Sequence, residues 1–366
     1  MSIISLARPE IVAMKPYSSA RMETPGRGIL LNANESPWPL LGDSGSDHVK
    51  LAKGLNRYPD PQPFELVSSL ANLYGVPAGQ VLVTRGSDEG IDLLTRVFCR
   101  AGKDAIGQCP PTFGMYRIAA QTQGAEIVSV PRLATSDFRI DADRLLEVLE
   151  NDERIKLLFL TSPNNPTGDT IAQSLLLELL RATAGKAIVV LDEAYAEFSQ
   201  QASATELLER HENLAVLRTL SKAWGAAGLR CGAVLAPADI ISLLRRIIAP
   251  YPLASPVIAL AQSMLADGMS DRQQQMLMEV QENKKHLLGL LADRPFITNI
   301  WPGEANFVLL KTRDAAGLLS FCAGRGVILR GYPSEPLLEG CIRISVGSKD
   351  ELSALKSALD AWEKRL

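Results

Sequence analysis

Between about Gln62 and Pro252 the chain alternates short apolar runs with longer amphipathic stretches. The runs are Val81 to Val83, Ile127 to Val130, Leu157 to Leu160, Ala187 to Leu191, Leu214 to Leu217 and Ala233 to Ala236. They are rich in Val, Ile and Leu and end in turn residues, which predicts buried strands of a largely parallel sheet. Between them, stretches such as Ile91 to Phe98 and Ala172 to Ala182 place apolar residues at helical spacing. Alternating strands and helices predict an α/β fold.

The pattern changes after about Pro256. One long helical pattern runs to roughly Ala292. Strands are expected at Phe307 to Leu310, Val327 to Leu329 and Cys341 to Val346. Ser348-Lys349-Asp350-Glu351 is a capping box opening a last helix, whose Leu352, Leu355, Leu359 and Trp362 share one face. The expected division is a large α/β domain over 41–255 and a smaller α+β domain over 256–366. Residues 1–40 would form an arm and part of the smaller domain. Gly42 to Asp47 is a loop by composition.

Composition narrows the function. Of 366 residues 46% are apolar, and the formal net charge is −3. Nucleic-acid and membrane-surface roles need a basic face, so both are disfavoured. No apolar run approaches the ~18 residues of a membrane span. Met1 to Tyr17 is interrupted by Arg8, Glu10, Lys15 and Pro16, unlike a signal peptide. Five scattered cysteines read as reduced thiols of a cytoplasmic protein. Three dispersed histidines offer no metal motif.

Four polar clusters follow predicted strands, where open α/β sheets bind ligands. Arg85-Gly86-Ser87-Asp88-Glu89-Gly90 opens a helix. Ser162-Pro163-Asn164-Asn165-Pro166-Thr167-Gly168 follows the Leu157 run. Asp192-Glu193-Ala194-Tyr195 ends the Ala187 run. Thr219-Leu220-Ser221-Lys222-Ala223-Trp224 and Gly228-Leu229-Arg230 follow the Leu214 run. The glycines do not form the G-x-G-x-x-G dinucleotide fingerprint.

That order of motifs resembles the fold-type I aminotransferases of the pyridoxal-phosphate superfamily. Leu31 to Glu35, Leu55 to Pro59, Pro110 to Tyr116 and Ala249 to Leu253 extend the likeness over nearly the whole chain. They narrow it to the histidinol-phosphate aminotransferase family. The resemblance implies a large, mostly parallel-sheet domain with a smaller α+β domain, and pyridoxal 5′-phosphate as cofactor. It also implies a homodimer, and L-histidinol phosphate with 2-oxoglutarate as substrates. Aromatic amino-acid aminotransferases and threonine-phosphate decarboxylase share the scaffold and are the nearest alternatives. A non-catalytic binding module would have an added DNA-binding segment or no lysine at 222, and the chain shows neither.

By the same resemblance Lys222 captures the cofactor aldehyde as an imine and later moves a proton. Asp192 faces the ring nitrogen, while Asn165 and Tyr195 donate to the phenolate oxygen. Gly86, Ser87 and Asp88, with Ser221 and Arg230, hold the phosphate, through backbone amides in the first three. The carboxylates of Asp88 and Glu89 are expected to turn away from that anion. Phe113 stacks on the ring where tyrosine is common in the family. Arg343 binds the substrate carboxylate and Arg330 a second anion, although Arg343 alone reads as a surface strand arginine. Tyr17 and Asn34 line the substrate side. Tyr58 reaches the cofactor phosphate from a partner subunit.

Overall fold

The computed structural model describes Val12, residues 28–40 and residues 55–366. Tyr17 and the Gly42 to Asp47 loop lie outside the described residues. Strand β1 is Ile29–Leu30. Seven strands then follow: β2 (Val81–Thr84), β3 (Ala105–Gln108), β4 (Glu126–Ser129), β5 (Ile155–Thr161), β6 (Ile188–Asp192), β7 (Leu214–Thr219) and β8 (Gly232–Leu235). They form one sheet in the order β2-β8-β7-β6-β5-β3-β4. β4, β3, β5, β6 and β7 run parallel, and β8 is antiparallel to both neighbours. Reversed twice, β2 points the same way as β7. The carboxyl ends of β2, β5, β6 and β7 therefore share one edge, and the four polar clusters meet there.

Successive side chains of a strand face opposite ways. Leu82, Leu157, Phe159, Val190, Leu217 and Val234 pack with Ile91, Leu94, Ile240 and Leu244 of two flanking helices. Their neighbours Val83, Leu158, Leu160, Val189, Val216 and Leu235 join the core that contains Leu66, Leu70, Leu176 and Leu179. Both faces are covered, which is why these strands read as unbroken apolar runs. Each such fully buried side chain is worth about 1.5–3 kcal/mol.

The C-terminal part builds on a second sheet. Its strands are β9 (Ile297–Trp301), β10 (Phe307–Thr312), β12 (Arg330–Gly331) and β13 (Cys341–Ser345), ordered β12-β13-β10-β9 and antiparallel throughout. Between them β11 (Val327–Ile328) pairs in parallel with β1, Ile29 opposite Val327. The Ser345 amide donates to Leu31 O at 2.9 Å, so the segment around residue 30 is tied to the C-terminal sheet. The capping box forms at Ser348, and Leu352, Leu355, Leu359 and Trp362 are buried along the helix Lys349–Glu363.

Two details differ from expectation. β3 and β9 carry no strong strand signal in the sequence but pair with their neighbours, each across one register shift. The long helical pattern is two helices, Ser255–Met264 and Met269–Leu291, parted at Gly268 in left-handed conformation. No helix among the described residues is long and apolar enough to cross a membrane.

Candidate active site

Lys222 leaves the end of β7 and is half-buried. Its Nζ donates to Ala33 O at 3.0 Å and lies 5.8 Å from the centroid of the Tyr195 ring. Burial, followed by the nearby Arg343 cation, lowers its pKa to about 8. An amine so placed is partly unprotonated near neutral pH, the form a nucleophile needs.

Asp192 ends β6 and is 2% exposed. Its Oδ1 accepts from the Ala194 amide at 3.0 Å and its Oδ2 from the Tyr116 hydroxyl at 2.7 Å. Burial raises its pKa to about 6 against the pull of those two bonds. Each carboxylate oxygen has more than one lone pair, so capacity for a further donor remains.

Tyr195 and Asn165 flank this carboxylate's strand end. Tyr195 Oη accepts from Asn34 Nδ2 at 3.0 Å, which leaves the phenol's own proton to donate. Asn34 sits at φ 53°, a conformation asparagine tolerates better than most residues. Its amide donates to Ser345 Oγ at 2.8 Å, and Ser345 Oγ donates back to Asn34 Oδ1 at 3.0 Å. Asn165 Oδ1 accepts from Arg343 Nη1 at 2.5 Å, leaving its Nδ2 as the donor end.

A third group gathers at the start of the helix Gly86–Phe98. The first-turn amides of a helix lack intrahelical acceptors and attract anions. Gly86 has φ 71°, where any other side chain would be strained, and a Cβ there would fall 2.8 Å from the Arg230 guanidinium and push it aside. Arg230 Nη1 lies 3.4 Å from Ser221 Oγ. Its Nη2 lies 3.1 Å from Asp88 Oδ2. The expectation that the Asp88 carboxylate turns away is therefore corrected: it pairs with Arg230, because a partly buried anion is costly without a cation. The Glu89 carboxylate accepts from the Arg85 amide at 2.7 Å.

The arginines come from the second sheet. Arg343 on β13 is 6% exposed rather than on the surface. Besides Asn165 it donates to Asn32 O at 2.8 Å, and its guanidinium lies 5.3 Å from the Phe307 ring centroid. Its Nε is buried without a hydrogen-bond partner. Arg330 on β12 is half-buried, 5.9 Å from the centroid of the Tyr332 ring.

Two aromatic positions stand apart. Phe113 packs edge-on against Tyr116, centroids 5.7 Å apart. Tyr58 is 80% exposed and stacks on Tyr251 at 4.3 Å, so it is not packed into this chain's own crevice. Tyr116 itself is a residue the sequence reading assigned no role. Its only signal was its place in the Pro110 to Tyr116 motif.

Comparison with known proteins now bears on this arrangement. The family model described as "Aminotransferase class I and II" matches residues 29–359. The chain belongs to the aminotransferase class I and II family. Among relatives in this family, "Histidinol-phosphate aminotransferase 1" of Haemophilus influenzae (strain 86-028NP) is 42% identical over 98% of this chain and 99% of its own length. "Histidinol-phosphate aminotransferase" of Yersinia pseudotuberculosis serotype O:1b (strain IP 31758) is 40% identical, over 98% of this chain and 91% of its own. A crystal structure of histidinol-phosphate aminotransferase from Sinorhizobium meliloti in complex with pyridoxal-5′-phosphate superposes with a TM-score of 0.86. It is 23% identical and covers 99% of this chain and 98% of its own. That superposition establishes the fold, the fold-type I arrangement of this aminotransferase family.

Proposed function

We propose that this chain binds pyridoxal 5′-phosphate and transfers the amino group of L-histidinol phosphate to 2-oxoglutarate, giving imidazole-acetol phosphate and L-glutamate. The observation that carries the reading is the meeting, at one edge of the large sheet, of Lys222, the buried Asp192 carboxylate and Arg230 beside a helix start. Kinship at 42% identity over nearly the full chain supports the substrate.

The donor set fits the cofactor. Asp192 has acceptor capacity left for a ring N–H, Asn165 and Tyr195 each keep a donor for a phenolate, and Arg230 with Ser221 stands over a helix N-terminus suited to a phosphate. When bound, the cofactor supplies an aldehyde that an amine can capture and a ring that withdraws electrons from the substrate α-carbon.

Lys222 provides the amine. With its amine free, Lys222 would be the base that takes the substrate α-carbon proton and the acid that gives it back. Asp192, as the anion, holds a proton on the ring nitrogen. Tyr195 and Asn165 stabilise negative charge on the phenolate. Phe113 offers a ring face for stacking, which needs no hydroxyl. Arg343 binds the substrate carboxylate of glutamate or 2-oxoglutarate, and Arg330 the phosphate of the other substrate. Asn34 completes the substrate side.

The exposed Tyr58 and Tyr251 pair supports a homodimer in which Tyr58 serves the partner's phosphate site. Sedimentation should give a mass of two chains; a lone 366-residue species at working concentration would count against this. The unbridged cysteines support a reducing, cytoplasmic setting.

Rates on histidinol phosphate, phenylalanine and threonine phosphate test the substrate directly. Histidinol phosphate should lead by at least about 10-fold, one discriminating charged contact. A phenylalanine preference, or carbon dioxide released from threonine phosphate, would overturn the assignment.

A further inference from the structure

Tyr116 is fully buried. Its ring stacks on Phe159 at 4.8 Å with planes 7° apart, and Phe113 meets its edge. Phenylalanine would satisfy those contacts. The hydroxyl needs a separate reason, since burying a polar atom costs free energy unless it is bonded. It lies 2.7 Å from Asp192 Oδ2 and 2.7 Å from Thr161 Oγ1.

The protons can be assigned. An ionised carboxylate only accepts, so the Tyr116 proton goes to Asp192. Thr161 then donates to the Tyr116 oxygen. Thr112 Oγ1, whose own proton goes to Asn164 Oδ1 at 3.0 Å, is a rival acceptor 3.3 Å from Thr161 Oγ1, but the Tyr116 oxygen at 2.7 Å is the nearer one and takes the Thr161 proton. Burial holds the Tyr116 phenol protonated, far above its ordinary range. The result is a directed chain from Thr161 through Tyr116 to Asp192. With the Ala194 amide on Oδ1, Asp192 is gripped at both oxygens.

We propose that Tyr116 is a positioning residue that fixes the Asp192 carboxylate in one rotamer and keeps it ionised toward the cofactor ring nitrogen. The inference rests on the reading of Asp192 given above. Its consequence is that the ring's electron demand is set partly by a residue that touches neither cofactor nor substrate.

Tyr116→Phe in the holoenzyme tests it. Losing one hydrogen bond to a charged group should weaken pyridoxal-phosphate binding about 10-fold and slow the amino-donor half-reaction about 10- to 100-fold. KM for the donor should hold nearly constant. An N-methylated cofactor carries a permanent ring charge and needs no proton held there. With it, the rate penalty of Tyr116→Phe should shrink to under about threefold. Equal penalties with both cofactors would mean a packing effect and overturn the proposal, as would wild-type affinity and rate. Should Tyr116→Phe fail to fold, Thr161→Val removes only the first link. It should slow the natural-cofactor reaction about threefold and the N-methyl reaction not at all; any other pattern overturns the proposal. A wild-type protein that fails to capture the cofactor through Lys222 would instead sink the underlying reading of the site.

Discussion

Arg330 and Arg343 are register partners across the antiparallel β12 and β13 pair, so two cationic side chains leave one face of the sheet side by side. Like charges directly opposite are destabilising, and an anion bound at either one offsets that cost. The two are not equivalent. Arg343 is buried and bound to Asn165 and Asn32, while Arg330 is half-buried toward Tyr332. Arg330→Gln should lower kcat/KM for histidinol phosphate about 10- to 100-fold and leave glutamate nearly unaffected. Arg343→Gln should impair both. Steady-state kinetics on the two donors separate these outcomes, and an equal loss for Arg330→Gln on glutamate would refute the division of labour.

Lys222→Ala should reduce turnover by at least about 10,000-fold, since it would remove the proposed nucleophile and proton carrier together. Borohydride trapping should label Lys222 in the wild type. Because its pKa is lowered to about 8, capture of added pyridoxal phosphate by the apoprotein should quicken with pH, reach half its maximum near pH 8 and level off above that. An ordinary lysine would keep quickening toward 10.5. Stopped-flow absorbance at a series of pH values distinguishes the two.

Asp192 makes the apoprotein's stability pH-dependent. Its pKa rises from 3.8 to about 6 on folding. Between those values the folded chain holds a proton that the unfolded chain has released. The stabilisation is thus full below the lower value and is lost as pH rises through the upper one. At pH 7 Asp192→Asn should therefore stabilise the apoprotein by on the order of 1–3 kcal/mol, even as it weakens cofactor binding. Urea titrations at pH 4 and 7 measure this, and a variant less stable than wild type at pH 7 would contradict it.

A buried ion pair lies behind the site. Arg218 at the end of β7 donates to Glu193 at 2.7 Å and to Glu197 at 2.8 Å, and lies 4.7 Å from the Tyr74 ring centroid. Arg218→Met would strand two acidic groups and should cost about 3–5 kcal/mol. Equilibrium denaturation would show the loss, and a change below about 1 kcal/mol would argue for water reaching the pair.

The sequence exposed what burial makes distinctive. Asp192 stood out as a carboxylate at the end of an apolar run, and Lys222 through its motif. The strands β2, β5, β6 and β7 lie within one or two residues of their apolar runs, since both faces are covered. β3 was illegible because Ala105-Ile106-Gly107-Gln108 owes its place to neighbours on both sides, not to its own side chains. Arg343 read as a surface residue because its strand alternates, yet all five residues of β13 are buried. The Asp88 carboxylate was misplaced because its pairing with Arg230 spans 142 positions that no local pattern encodes. Tyr116 was hidden for the same reason, its partner lying on a strand 76 positions away.

The pairing of β1 with β11 constrains the order in which the enzyme can mature during synthesis. Lys222 reaches its carbonyl acceptor, and Tyr195 its amide partner, through residues 33 and 34. Those residues are anchored by a strand near 327 and by Ser345. A nascent chain halted after residue 300 would already contain the lysine and its carboxylate, but not the clasp that orients the early segment over them. Coenzyme capture in the proposed geometry would therefore wait until the chain as far as Ser345 has been made.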